Sequence, residues 1–147
     1  MFIGREEELN FLEDRYNSAD GQLVVLYGRR RVGKTELLRQ FCENKEHVFY
    51  TCTEIIDEKQ LEAFSQRVLE KNKQAAKYIT RFSDWEQALL SITELAKEKK
   101  IVVVIDEFPY MVKGNNAIPS ILQKLWDEVL KQSNVMLILC GSAMSFI

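Results

Sequence analysis

Four runs of consecutive apolar residues constrain the fold of this chain more than any other feature. They begin at Gln22, His47, Lys100 and Asn134 and read QLVVLYG, HVFYTC, KIVVVIDE and NVMLILCG. None of them alternates apolar with polar residues, so each is predicted to be a strand covered on both faces, as in a parallel sheet. With helices between them, the runs predict an α/β fold with three layers, a mostly parallel sheet and right-handed crossovers. Residues 1–147 are expected to form one domain.

Amphipathic helical patterns lie before and between these runs. The first begins near Arg5 and the second after Lys34; two more separate the second run from the third, and the last begins at Ile118. Apolar residues recur in each pattern at helical spacing, which predicts one face turned toward the core. The segment 113–120, KGNNAIPS, carries turn-forming residues and is predicted to be a mobile loop.

The composition is that of an ordinary soluble chain. Of the 147 residues, 46% are hydrophobic and 29% are charged, and the formal net charge is −2. That charge gives no global positive field toward nucleic acid or an anionic membrane, so any such binding has to be local. No run approaches the roughly 20 apolar residues of a membrane span, and the N-terminus turns acidic too early for a signal peptide. We predict a cytoplasmic protein without a membrane partner.

The cysteines and the single histidine argue against a zinc or disulfide framework. Cys42, Cys52 and Cys140 are odd in number, lie among apolar residues and form no C-x-x-C pair, and His47 is the one histidine. Reduced thiols in the core are the expected state.

A phosphate-binding motif follows the first apolar run. The residues GRRRVGKT from Gly28 fit the pattern G-x-x-x-x-G-K-[ST] in full. The glycines allow a tight turn whose amides point at a phosphate, the next helix adds its positive end, and lysine and threonine contact phosphate and Mg²⁺. The residues expected to bind nucleotide here are Gly28, Arg29, Arg30, Arg31, Val32, Gly33, Lys34, Thr35 and Glu36.

The three consecutive arginines in this motif have a second interpretation as a surface for a polyanion. Residues between the two glycines contribute mainly backbone amides, so Arg29, Arg30 and Arg31 have free side chains that either raise the local potential or pair with acids on a neighbouring element or subunit. Three charges make a poor nucleic-acid footprint, and we identify no second basic patch that extends it.

The third apolar run ends in two adjacent acids. Asp106 is expected to hold Mg²⁺ together with Thr35, and Glu107 is expected to polarise the attacking water. The alternative is that both acids simply mark the polar end of a strand. Beside a phosphate loop, the pair favours nucleotide hydrolysis, with Lys34 and Glu107 as catalytic residues.

Ser142 ends the fourth run. If that strand lies between the first and the third, its hydroxyl faces the γ-phosphate and acts as a polar sensor, which makes it the third candidate catalytic residue. The alternative is that Ser142 caps the next helix.

Four segments together resemble the archaeal-type P-loop ATPases related to the STAND and AAA-type group: FIGREEEL, GRRRVGKT, VVVIDEFPY and LILCGS. The resemblance implies the strand order 5-1-4-3-2. It also implies that Ile3 and Gly4 border the adenine and that Arg5 approaches the nucleotide. For Arg5 the alternative is a helix-start residue paired with Glu8.

The family continues past the fourth strand with a fifth strand and a helical or winged-helix lid, often followed by a nuclease-like domain. The resemblance therefore implies a truncated N-terminal fragment without the lid or effector domain. The expected ligands are ATP or ADP with Mg²⁺, since no N/T-K-x-D segment for guanine is present. ATP hydrolysis that drives a conformational change is the leading hypothesis, with little turnover expected in the fragment.

Two alternatives stay open. One is a STAND-type switch with slow hydrolysis, in which the nucleotide sets homo-oligomerisation. The other is an ATPase subunit of a nucleic-acid or mobile-element system, with nucleic acid as a partner of the full-length protein only.

Overall fold

The computed structural model of the chain describes residues 3–28 and 33–142, with side chains from residue 6 onward. Seven α-helices and four strands are described in these ranges. In chain order they are α1 (Ile3–Tyr16), β1 (Gln22–Gly28), α2 (Lys34–Cys42), β2 (His47–Thr51), α3 (Asp57–Leu69), α4 (Lys73–Ala76), α5 (Trp85–Leu95), β3 (Ile101–Asp106), α6 (Phe108–Gly114), α7 (Ile118–Glu128) and β4 (Val135–Ser142), with a 3₁₀ turn at Leu130–Gln132 before β4.

The four described strands form one parallel sheet in the order β1-β4-β3-β2. This order confirms the predicted arrangement of these strands, in which β4 lies between β1 and β3. Gly28 at the end of β1 is in register with Ser142 at the end of β4, and Thr51 at the end of β2 with Asp106 at the end of β3. The predicted phosphate loop and the acidic pair therefore follow the same edge of the sheet.

Alternate side chains of the central strand β3 enter two separate cores, which explains why its run is apolar throughout. Val102 and Val104 pack with residues of α1 and α2, such as Leu38. Val103 and Ile105 pack with residues of α3, α5, α6 and α7 on the other face. All six residues of β3 are buried. The helices thus form the outer layers of a three-layer α/β domain, as predicted.

The segment between Glu107 and Val129 is more helical than the sequence predicts. The predicted loop 113–120 consists of the end of α6, three linking residues and the start of α7. Pro109 and Pro119 both lie in the first turn of a helix, where the missing N–H costs no helical hydrogen bond. The Asn115 side chain accepts from the Ala117 amide at 3.0 Å and organises the link. The sequence predicts two helices between β2 and β3. The structure has three, because the short helix α4 lies between α3 and α5.

One face of the edge strand β1 is open among the described residues. Leu23, Val25 and Tyr27 are 43%, 68% and 64% exposed. They are in register with Leu137, Leu139 and Gly141 of β4. Val25 and Tyr27 also border a cavity of about 460 Å³ near α6. Among the described helices, none is long and apolar enough to cross a bilayer.

Candidate functional site

The site begins where α2 leaves the phosphate-loop motif. Gly33 has φ 75° and ψ 21°, a left-handed conformation that glycine adopts without a steric penalty. Its carbonyl accepts a hydrogen bond from the Leu37 amide at 2.9 Å, which starts α2 at Lys34. In this motif, Gly28 is therefore the last residue of β1, and Gly33 directly precedes α2. The predictions for Arg29, Arg30, Arg31 and Val32 lie outside the described residues.

A hydrogen bond joins the motif to the acidic strand. The Thr35 Oγ1 hydroxyl donates to Asp106 Oδ2 at 2.9 Å. The other carboxylate oxygen of Asp106 accepts from the Glu107 amide, also at 2.9 Å. Asp106 is buried and Thr35 is exposed, so the two oxygen ligands predicted for Mg²⁺ lie together at the rim of the sheet.

Lys34 extends from the start of α2 to the end of β4, where its Nζ donates to the carbonyl of Gly141. This carbonyl could not be predicted from residue types, because a backbone acceptor has no residue-type signature. The signal that points to it is the strand order, since β4 next to β1 brings Gly141 beside the motif.

Glu107 lies just beyond β3 in an unusual backbone conformation. Its φ of 53° and ψ of 40° are left-handed, and it is the one non-glycine residue with positive φ in the described part of the chain. A left-handed conformation strains the backbone of a residue that has a side chain. Such strain persists only where the surrounding structure imposes it, and it is most common at functional sites. The Tyr110 amide donates to the Glu107 carbonyl at 3.1 Å, so the same residue begins α6.

The Glu107 carboxylate accepts a hydrogen bond from Ser142. The Ser142 Oγ lies 3.0 Å from Oε1 and 3.4 Å from Oε2. Ser142 is 2% exposed, whereas Glu107 is half-buried and reaches the surface of the site. The geometry therefore brings together the predicted base and the predicted sensor.

The donor set around Thr35 and Asp106 fits Mg²⁺ in a nucleotide complex. Both side chains offer oxygen, and Mg²⁺ in such sites is held by one or two protein oxygens together with waters and phosphates. No group of three or more His, Cys, Asp or Glu side chains that could hold a metal by itself occurs in the described ranges. The arrangement thus suits a metal ion that binds together with a phosphate ligand and takes part of its coordination from that ligand.

Two buried thiols flank the site without taking part in its chemistry. Burial raises the pKa of the Cys140 and Cys52 thiols far above the usual range, and the negative charge of Asp106 raises both further. Both stay neutral at physiological pH and are poor nucleophiles and ligands. All three cysteines are free and buried, as the sequence predicts.

The remaining predicted residues lie on the first turns of two helices. Glu36 is exposed on the first turn of α2. Ile3, Gly4 and Arg5 lie in α1, and their side chains are outside the described residues. Between α1 and α2 is a cavity of about 500 Å³. It is lined by Glu7, Glu8, Phe11, Leu12, Leu26 and Leu37.

The chain is similar in sequence to a described family and to proteins of one archaeon. Residues 2–147 match the model of a family described as an ATPase domain predominantly from Archaea. An uncharacterised protein of Methanocaldococcus jannaschii is 36% identical over 145 residues, which is 99% of this chain and 30% of that protein. An uncharacterised ATP-binding protein of the same organism is 56% identical over 46 residues, which is 31% of this chain and 78% of that protein.

Solved structures show the same fold. The Walker-type ATPase of Pyrococcus abyssi is similar with a TM-score of 0.67 and 26% identity, over 93% of this chain and 44% of that chain. The Cdc6p protein of Pyrobaculum aerophilum is similar with a TM-score of 0.63 and 18% identity, over 97% of this chain and 40% of that chain. This chain therefore spans less than half the length of either protein.

Proposed function

Because the chain belongs to the family of ATPase domains found predominantly in Archaea, we propose that it binds ATP with Mg²⁺ and hydrolyses it to ADP and phosphate to drive a conformational change. The observation that carries this proposal is the 2.9 Å hydrogen bond between Thr35 and Asp106. It joins the phosphate motif to the acidic strand at one edge of the sheet, which is where nucleotide phosphates and their metal bind in this architecture.

Lys34, Thr35 and the start of α2 bind the phosphates. The first amides of α2 and the positive end of its dipole favour a negatively charged ligand. The Lys34 ammonium exchanges the Gly141 carbonyl for the β- and γ-phosphates. Thr35 and Asp106 hold Mg²⁺, which supplies charge neutralisation when bound.

Glu107 and Ser142 act at the γ-phosphate. The Glu107 carboxylate orients and polarises the attacking water. It accepts a proton as the water oxygen bonds to the γ-phosphorus and the bond from that phosphorus to the bridging oxygen breaks, which releases ADP. Ser142 holds that carboxylate through the bond at 3.0 Å. The hydroxyl has one hydrogen, so it either positions Glu107, as it does in this structure, or donates to the γ-phosphate as a sensor.

The adenine lies on the α1 side of the motif. The cavity of about 500 Å³ between α1 and α2 is bordered by apolar side chains such as Phe11 and Leu37, as a flat aromatic base requires. Ile3 and Gly4 border the base, and Arg5 approaches the nucleotide from the first turn of α1.

Calorimetric titration of the purified protein with ATP tests the proposal. We expect binding that depends on Mg²⁺ and is lost in Lys34→Ala. Lys59→Ala, which removes an exposed lysine outside the site, serves as the control that retains binding. Unchanged affinity in Lys34→Ala would show that the phosphate site is elsewhere. In the full-length protein, Glu107→Gln should bind ATP normally and lose turnover, and normal hydrolysis by that variant would remove Glu107 from the mechanism.

A nucleotide-dependent switch with slow hydrolysis is the second candidate. The observation that favours it is that Lys34 and Glu107 both contact the end of β4, at Gly141 and Ser142. A nucleotide that recruits the Lys34 ammonium has to replace its contact with the Gly141 carbonyl, so nucleotide binding removes one hydrogen bond at the end of β4. Chain segments or subunits attached there would respond to the nucleotide.

Light scattering with size exclusion distinguishes the switch from a steadily working ATPase. The intact protein is compared in ADP and in a non-hydrolysable ATP analogue. A change of oligomeric state between the two supports the switch, and identical profiles with measurable steady-state turnover support the ATPase.

A further inference from the structure

A second, separate basic surface lies in the connection between α3 and α5. Residues 71–81 read KNKQAAKYITR and contain four basic residues and no acid, in a chain of net charge −2. Lys71, Lys73, Lys77 and Arg81 are all exposed. We predict no second patch that extends the run Arg29 to Arg31, and this segment is instead a separate basic surface. We call it the α4 patch.

None of the four cations of the α4 patch has an ion-pair partner within the described part of the chain. The nearest acid in sequence, Glu70, lies 3.9 Å from Arg67 instead. Lys73 and Lys77 are four residues apart. The helical turn of α4 continues through Lys77 and Tyr78, because their amides donate to carbonyls within α4. They therefore project on the same side. The patch presents unneutralised positive charge to solvent.

An aromatic side chain stands among these charges. Tyr78 is 80% exposed, more than any other large hydrophobic residue among the described ones, and the adjacent Ile79 is 37% exposed. A tyrosine that packed against the core would bury its ring, as Tyr50 does. The Tyr78 ring leaves a π-face free for contact with a ligand.

The α4 patch lies at the end of the domain opposite the nucleotide site. α3 starts shortly after β2 and extends along the sheet for 13 residues, which is roughly 20 Å. The chain then returns along α3, because the Phe82 amide donates to Ser65 Oγ at 3.1 Å and the Trp85 indole donates to Asp57 Oδ1 at 2.8 Å. The α4 patch is therefore separate from Lys34 and Asp106.

We propose that the α4 patch binds single-stranded nucleic acid. Exposed cations that follow the backbone, together with an aromatic ring on which a base stacks, are the two components of such sites. A duplex would use the cations but leave Tyr78 without a base face, since its bases are already stacked. An acidic protein segment would use the cations alone. Tyr78 thus favours a strand with unpaired bases.

Fluorescence anisotropy of a labelled oligothymidylate, titrated with the purified protein at several salt concentrations, tests this inference. Each phosphate contact contributes about 0.7 to the salt slope for a single strand. We expect Lys73→Gln/Lys77→Gln to lower that slope by about 1.4 and to weaken binding at least about tenfold at low salt. The control Lys59→Gln/Lys97→Gln removes the same charge from exposed lysines outside the α4 patch and should leave binding unchanged.

Variants of Tyr78 identify the class of ligand. Tyr78→Ala should weaken binding roughly tenfold through loss of stacking, whereas Tyr78→Phe should retain it. Because Tyr78 is 80% exposed, neither change is expected to impair folding, and thermal melting checks this. Excess ADP with Mg²⁺ should leave oligonucleotide binding intact, since it occupies the other site.

Each outcome of these titrations either supports or overturns a single-strand site at the α4 patch. Loss of binding in the α4 patch variants alone, with Tyr78→Ala weakened, supports it. No binding by the unaltered protein at low salt, an equal loss in the control pair, or displacement by ADP would each overturn it. Polyglutamate binding that needs the lysines, with Tyr78→Ala behaving normally toward the oligonucleotide, would identify an acidic protein as the partner and also overturn it.

Discussion

The Ser142 hydroxyl donates a hydrogen bond to the Glu107 carboxylate, with 3.0 Å between Oγ and Oε1. The two residues lie 35 positions apart: Ser142 ends β4, and Glu107 directly follows the neighbouring strand β3. A buried hydroxyl therefore orients a half-buried acid that stands in a strained backbone conformation. This relationship leads directly to two predictions, one on turnover and one on stability.

In the full-length protein, Ser142→Ala should lower the ATP turnover rate by roughly 10- to 100-fold, because the Glu107 carboxylate loses the group that orients it. In the Glu107→Gln background the same change should have almost no further effect, since both residues act on the same step. Steady-state phosphate release measures both. An equal loss in the two backgrounds would mean that Ser142 acts independently of Glu107, as a sensor of the γ-phosphate.

Glu107→Gly should be more stable than Glu107→Ala by about 1 kcal/mol. Both variants lose the carboxylate, but only glycine adopts the left-handed φ of 53° without a steric cost. Urea unfolding of the two variants measures the difference. If alanine is equally stable, the backbone at residue 107 relaxes and is not held in place by its surroundings.

Stability should fall as the pH rises above 9, partly through Cys42. Burial raises the pKa of the Cys42 thiol from 9.0 to about 11. Between these values the unfolded chain loses the thiol proton while the folded chain keeps it, so the contribution is fully present below pH 9 and is lost as the pH approaches 11. Cys42→Ala should lose less stability between pH 8 and 10, as measured by urea midpoints. An equal loss in both proteins would assign the effect to other groups.

Gln60→Leu should destabilise the fold by about 2 kcal/mol, because it leaves buried polar groups without partners. Gln60 is 1% exposed, and its side chain accepts from the Tyr50 hydroxyl and donates to the Thr53 carbonyl at 2.8 Å. In the Tyr50→Phe background the cost should shrink by about 1 kcal/mol, since one of those groups is gone. Thermal or urea unfolding measures both. Equal costs would mean that the Tyr50–Gln60 bond contributes nothing.

Much of the fold could be predicted from local sequence. The strands were found because a strand buried on both faces is apolar at every position, as the six buried residues of β3 show. The phosphate motif was found because its backbone geometry demands particular residues, as the left-handed φ at Gly33 illustrates. The loop prediction at 113–120 was wrong because asparagine and proline also begin and link helices, as Asn115 and Pro119 do here.

By itself, the sequence determined where the strands run and which loop and acids can meet a nucleotide, since these depend on the residue types within a few positions. Only the tertiary structure decided that Lys34 contacts the Gly141 carbonyl and that Ser142 holds Glu107. It also decided that the four cations and Tyr78 of residues 71–81 all stay exposed. These relationships join residues that are distant in the chain or depend on which side chains stay exposed. They arise when strands pair and helices pack, and single-sequence patterns carry no record of that pairing.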